Sequence, residues 1–162
     1  MSIELVLGPM THMQSICMVE AFELERKLFG KPAAILDFHE EECVAPGILT
    51  CEGGSFPCIR THRLLSVVQH FESLYIHNAQ CFPDLKEYVL QQNRKGVNCF
   101  IYAADSDHTQ SKLGEVWDLI PYAHNVTKQL PICSNPRCLK LGTCSRAFED
   151  RFIPVCLNCL KY

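Results

Sequence analysis

The chain has 162 residues, 48% hydrophobic and 20% charged, with a net charge of −3 at pH 7. That size and balance fit one folded domain with a small appendage and exclude a disordered chain. Scattered Lys and Arg with a slight acidic excess exclude the electrostatic footprint of a nucleic-acid binder, and no apolar run approaches the roughly 20 residues of a membrane helix.

The N-terminus has no basic region ahead of an apolar one, so the expectation is a soluble, cytoplasmic protein with neither nucleic acid nor membrane as partner. Ile3 to Leu7 is a short apolar run that predicts a buried strand. After the turn "GPMTHMQS", Ile16, Val19 and Phe22 recur at helical spacing, and charged "ELERK" leads to Gly30 as a C-cap. "PAAILDF", 32–38, predicts a second strand, and the Gly- and Pro-rich segment "HEEECVAPGILTCEGGSFP" an exposed loop or hairpin. "THRLLSVVQHF", 61–71, places Leu64, Leu65, Val68 and Phe71 on one helical face and predicts a helix. There follow "SLYI" (strand), "DLKEYVLQQNRKG" (helix closed by Gly96), "VNCFIYAA" (strand), "KLGEVWDLIPYA" (short helix) and "NVTKQL" (strand). Such alternation predicts an α/β fold, a parallel sheet with helices on both faces, over residues 1–130. From Pro131 to residue 162 a cysteine-rich lobe without a core period replaces it.

Five of the eleven cysteines, Cys133, Cys138, Cys144, Cys156 and Cys159, lie in this lobe. With no secretory signal, a metal site explains that crowding better than a disulfide framework. Cys156-x₂-Cys159 is a knuckle spacing that brings two thiolates to one tetrahedral ion. Cys17, Cys58 and Cys99 fall in apolar segments and read as small buried hydrophobes.

The turn after the first strand begins as a phosphate-binding loop. A loop of the form G-x-x-x-x-G-K-[ST] starting at Gly8 requires glycine at 13 and lysine at 14, where this chain has Met13 and Gln14; Ser15 alone meets the pattern. Two readings stand: a plain strand-to-helix turn, or a loop that still holds phosphate weakly at the helix N-terminus. His12 could contact phosphate as imidazolium, or could be an exposed turn residue.

Taken in order, "LGPM", "NAQCFPDL" and "PVCLNC" resemble the motifs "GPMFSGKS", "DEGQFFPDI" and "SVCRxC" of the thymidine kinase family, in its animal and poxvirus-like branch. The resemblance runs from Ile3 to Cys159 and implies a P-loop α/β domain followed by a zinc-binding lobe whose lasso loop closes over thymidine. It implies a zinc ligand near Cys133; the expected C-x₂-C is interrupted by Pro136, so Cys138 is the nearest partner and Cys144 a second candidate, giving Cys133, Cys138, Cys156 and Cys159 around a structural zinc.

The same resemblance exposes departures at the functional positions. Glycine and lysine of the phosphate loop are replaced by Met13 and Gln14, and a neutral amide cannot supply the charge-assisted phosphate contact. The metal-binding acid and the catalytic glutamate of "DEGQ" correspond to His77 and Asn78, and an asparagine offers no basic oxygen at neutral pH. His77 shows no carboxylate partner in the sequence. In the nucleoside pocket the family's aromatics correspond to Cys81, His108, Leu113 and Phe152, and its arginine and lysine to Gln110 and Ser111. Asp105 matches a family aspartate, and Glu52 lies near another acid. The expectation is a pseudoenzyme that keeps the fold and zinc, loses ATP·Mg²⁺ binding and phosphoryl transfer, and acts through a protein partner or as a homo-oligomer, in the setting of a viral protein that meets its host. The alternatives are a thymidine kinase of weak or altered activity and a nucleotide sensor without turnover.

Overall fold

A computed structural model describes the chain except for residues 12, 42, 53 and 162 and the side chain of Met13. His12, and any role of the Met13 side chain, therefore lie outside the described residues.

Seven strands form one sheet in the order β3-β4-β2-β5-β6-β1-β7, from β1 (Ile3–Gly8), β2 (Ala33–Phe38), β3 (Ala45–Cys51), β4 (Gly54–Thr61), β5 (Ser73–His77), β6 (Asn98–Ala104) and β7 (Asn125–Lys128). The pairings are parallel except that β3 and β4 are antiparallel, so the 39–57 segment contains a hairpin. Two long helices flank the sheet, α1 (Met13–Phe29) and α2 (Leu85–Arg94). Successive strand side chains point to opposite faces, and the two cores divide accordingly. Leu5, Leu36, Leu74, Ile76 and Ile101 join Leu85 and Val89 of α2 on one face. Ile35, Tyr75 and Tyr102 join Met18, Val19 and Phe22 of α1 on the other. Gly30 ends α1 at φ +60, and Gly96 follows α2 at φ +91, the left-handed conformation glycine adopts freely.

One expectation needs correction. Residues 61–71 do not form a helix: a single 3₁₀ turn, Leu64–Ser66, is followed by extended backbone at Val67, and Val68 is 89% exposed. The Asp84 carboxylate accepts the Leu64 and Leu65 N–H groups, at 3.1 and 2.9 Å, from twenty residues away. That tertiary contact holds the turn, and the β-branched pair Val67–Val68 favours the extended continuation. The short helix expected before β7 is present as a 3₁₀ helix, Val116–Tyr122, with Pro121 inside it.

Beyond β7 the chain forms an antiparallel hairpin, β8 (Cys144–Phe148) and β9 (Arg151–Val155). It is tied back to the sheet domain: the Met10 N–H donates to Ser145 Oγ (2.7 Å), Gln110 Nε2 to the Ser145 carbonyl (3.1 Å), and Lys128 Nζ to the Thr143 carbonyl (3.4 Å). Among the described residues, no helix is long and apolar enough to cross a membrane.

Candidate functional site

Ligands of open α/β sheets bind outside the carboxyl ends of the strands. Here a cleft of about 700 Å³ lies in that place. The β1–α1 turn contributes Met10, the first turn of α1 contributes Gln14 and Ser15, the end of β5 contributes His77 and Asn78, and β9 contributes Phe152 and Ile153.

Gln14, Ser15 and His77 on the sheet side each have a protein partner. Gln14 Nε2 donates to the Ala103 carbonyl at 2.7 Å, buried behind the turn. Ser15 Oγ lies 2.7 Å from His77 Nε2, and His77 Nδ1 lies 2.8 Å from Asp37 Oδ1. Asp37 and His77 are paired residues at the ends of the adjacent strands β2 and β5, so the sheet register brings them together. The carboxylate partner that His77 lacks in the sequence is therefore Asp37, whose other oxygen lies 3.7 Å from Arg60 Nε. Asn78 stands at φ +50 with its Nδ2 3.2 Å from His77 Nδ1. Asparagine is among the residues that tolerate this left-handed backbone.

The remaining expected site residues divide. Gly8 ends β1, where a Cβ would come within 2.6 Å of the Gln129 carbonyl. Its lack of a side chain thus serves the neighbouring strand's continuation. His108 and Phe152 stack, with ring centroids 5.8 Å apart and planes 27° apart. Cys81 is exposed, Leu113 is half-buried, and neither is among the described lining residues of the cleft. Asp105 is buried and paired with Lys128, its Oδ2 2.6 Å from Nζ. Glu52 is exposed beyond β3. Sequence reasoning missed Asp37; the one signal was a charged residue near the end of an otherwise apolar strand.

Residues 133–159 gather a second site. The sulfurs of Cys133, Cys138, Cys156 and Cys159 all lie within 4.8 Å of one another. The Cys138 and Cys156 sulfurs are 3.7 Å apart, close to the edge of a tetrahedron with metal–sulfur bonds of about 2.3 Å. Donors surround them: the Cys156 N–H reaches Cys133 Sγ at 3.3 Å, and Asn135 Nδ2 reaches Cys159 Sγ at 3.3 Å. The Cys159 N–H, with further donors, lowers the Cys156 thiol to about 7. At Cys133 burial pushes upward, but the N–H groups of Asn135 and Cys156 outweigh it and the thiol is lowered. At Cys159 the Asn135 amide pulls downward, yet burial and the neighbouring sulfurs raise the thiol to about 11. A lowered thiol beside three more sulfurs suits a metal that binds thiolates, and the donor set fits one. Cys144, the second candidate, lies outside this group and has Thr143 Oγ1 3.6 Å from its sulfur.

Comparison with known proteins places the chain in a family. The model of the family "Thymidine kinase" matches residues 1–156. The chain is 24% identical over 154 residues to the thymidine kinase of Rabbit fibroma virus, covering 92% of this chain and 84% of the relative. It is 25% identical to thymidine kinase a of Arabidopsis thaliana, covering 96% and 73%. To the thymidine kinase of Myxoma virus (strain Uriarra) it is 22% identical, covering 97% and 94%. With a family match over nearly all of its length, the chain belongs to the thymidine kinase family.

Proposed function

We propose that this chain is a family member that has given up ATP-driven phosphoryl transfer and acts by binding, to a protein partner or to a second copy of itself, in the cytoplasm. The observation that carries the reading is the Gln14 side chain. It stands where the family's phosphate loop has lysine, is neutral, and is turned away to the Ala103 carbonyl. The residues present do not fit a magnesium-bound triphosphate: Ser15 Oγ is engaged by His77, and Asp37 by His77 and Arg60. Asn78, at the position of the family's general base, cannot take a proton from a sugar hydroxyl. We assign zinc to the four-thiol cluster of residues 131–162, where it would brace the lobe without entering the chemistry.

A thymidine kinase of altered activity fits the relatives' names equally well. One observation favours it: His77 is a basic side chain on the cleft wall next to Asn78. The deciding experiment is equilibrium binding of Mg·ATP and thymidine to the zinc-loaded protein, with phosphorylation of thymidine followed in parallel. The proposal expects no ATP binding at millimolar ligand and no product. Micromolar affinity with turnover would establish the kinase reading.

A further inference from the structure

Ser15, His77 and Asp37 form an unbroken chain, Oγ to Nε2 at 2.7 Å and Nδ1 to Oδ1 at 2.8 Å. The three residues are only 9%, 8% and 7% exposed, yet Ser15 and His77 line the cleft while Asp37 stands behind them. We propose that this trio is a nucleophilic centre that hydrolyses carboxylic esters carrying an apolar acyl group.

The roles follow from the atoms. A carboxylate only accepts hydrogen bonds, so Asp37 holds the proton on His77 Nδ1 and leaves Nε2 to accept from the Ser15 hydroxyl. The Asn78 amide, 3.2 Å from the same Nδ1, therefore does not donate to it. The second Asp37 oxygen lies 3.7 Å from Arg60 Nε. Serine, base and orienting acid thus stand in the order that activates a hydroxyl at neutral pH.

The surroundings match the chemistry. Ser15 is the third residue of α1, within the first turn, whose N–H groups have no intrahelical acceptor. A helix N-terminus stabilises negative charge, and Ser15 sits in its first turn. Met10, Leu49, Phe152 and Ile153 give the cleft apolar walls for the acyl chain. With Gln14 neutral and turned inward, Arg151 is the cation among the described lining residues, and it lies exposed on β9. A neutral ester suits such walls better than a phosphate.

In the first half-reaction Ser15 Oγ adds to the carbonyl carbon and its proton passes to His77 Nε2. The bond from the acyl carbon to the ester oxygen then breaks, and the alcohol departs with that proton. Water adds to the acyl carbon, yields a proton to Nε2, and the acid leaves as the proton returns to Ser15 Oγ.

The test treats the full-length, zinc-loaded wild-type protein with a fluorophosphonate probe and locates the adduct by peptide mass mapping. Hydrolysis of p-nitrophenyl butyrate is followed alongside. The expected result is one adduct per chain on Ser15 and a burst of nitrophenol equal to the protein. S15A should abolish both, and D37N, with the imidazole tautomer reversed, should slow hydrolysis roughly 10²–10⁴-fold. H77Q, which removes the base, should likewise lose the burst and the hydrolysis. No adduct on Ser15 of the folded wild-type protein overturns the proposal without reliance on any variant. Release of phosphate from p-nitrophenyl phosphate, with butyrate ester untouched, overturns the acyl assignment.

Discussion

Gln14 Nε2 and the Ala103 carbonyl, 2.7 Å apart, join the first turn of α1 to the end of β6. Both groups are buried, so their bond is a structural clasp at the base of the cleft. Gln14→Met keeps the side-chain length and removes the donor. It should lower stability by about 1–3 kcal/mol, because a buried carbonyl loses its partner. The midpoint of urea unfolding measures it. A change below about 0.5 kcal/mol would show that the clasp carries no weight.

Asp84 is a second clasp. Its two oxygens accept the N–H groups of Leu64 and Leu65, and these bonds organise the only helical turn between β4 and β5 among the described residues. Asp84→Asn sets an amide NH₂ against one of those donors. The expected loss is about 1–3 kcal/mol, with faster amide exchange at residues 64–67.

The thiol cluster predicts a zinc-to-protein ratio near one by elemental analysis. Cys156→Ser should lose the metal and on the order of a few kcal/mol of stability, since binding energy at a structural site is folding energy. Cys144→Ser should keep the metal. Equal zinc loss in both variants would place the site elsewhere.

Alkali should unfold the protein earlier than its surface charges would require. Burial raises the hydroxyls of Tyr75, Tyr88 and Tyr102, the last to about 12, and the Glu25 carboxylate adds to the shift at Tyr75. Because these folded-state values lie above the unfolded value near 10, the unfolded chain loses its protons first. The tyrosines' contribution is complete below about pH 10 and disappears as pH rises through the folded values. Thermal midpoints between pH 8 and 12 would trace the decline, which Tyr102→Phe should make shallower.

Much of this architecture is legible from local pattern. Short apolar runs in "IELVL", "AAILDF" and "NCFIYAA" mark buried strands, and Gly30 and Gly96 mark helix ends correctly. The spacing of Leu64, Leu65, Val68 and Phe71 misleads because nothing within residues 61–71 reports Asp84. The crowding of cysteines and the Cys156–Cys159 pair are readable because thiol spacing within a short lobe is local information, whereas Cys133 and Cys138 follow from the family resemblance. The contact between Asp37 and His77 is not: forty residues separate them, and only the pairing of β2 with β5 makes them neighbours. Ser15 joins them from a third element, so a reader of one sequence sees three unrelated polar residues.

The β8–β9 hairpin faces two ways. Phe152 and Ile153 of β9 wall the cleft, while Val155, at the end of the same strand, packs with Cys133 and Cys156. One two-stranded ribbon therefore borders both sites. An occupant of the cleft that favoured one setting of the hairpin would change the affinity of a metal at the thiols, and that metal would change the occupant's affinity by the same factor. Zinc availability would then act as a tuning variable for what the cleft accepts.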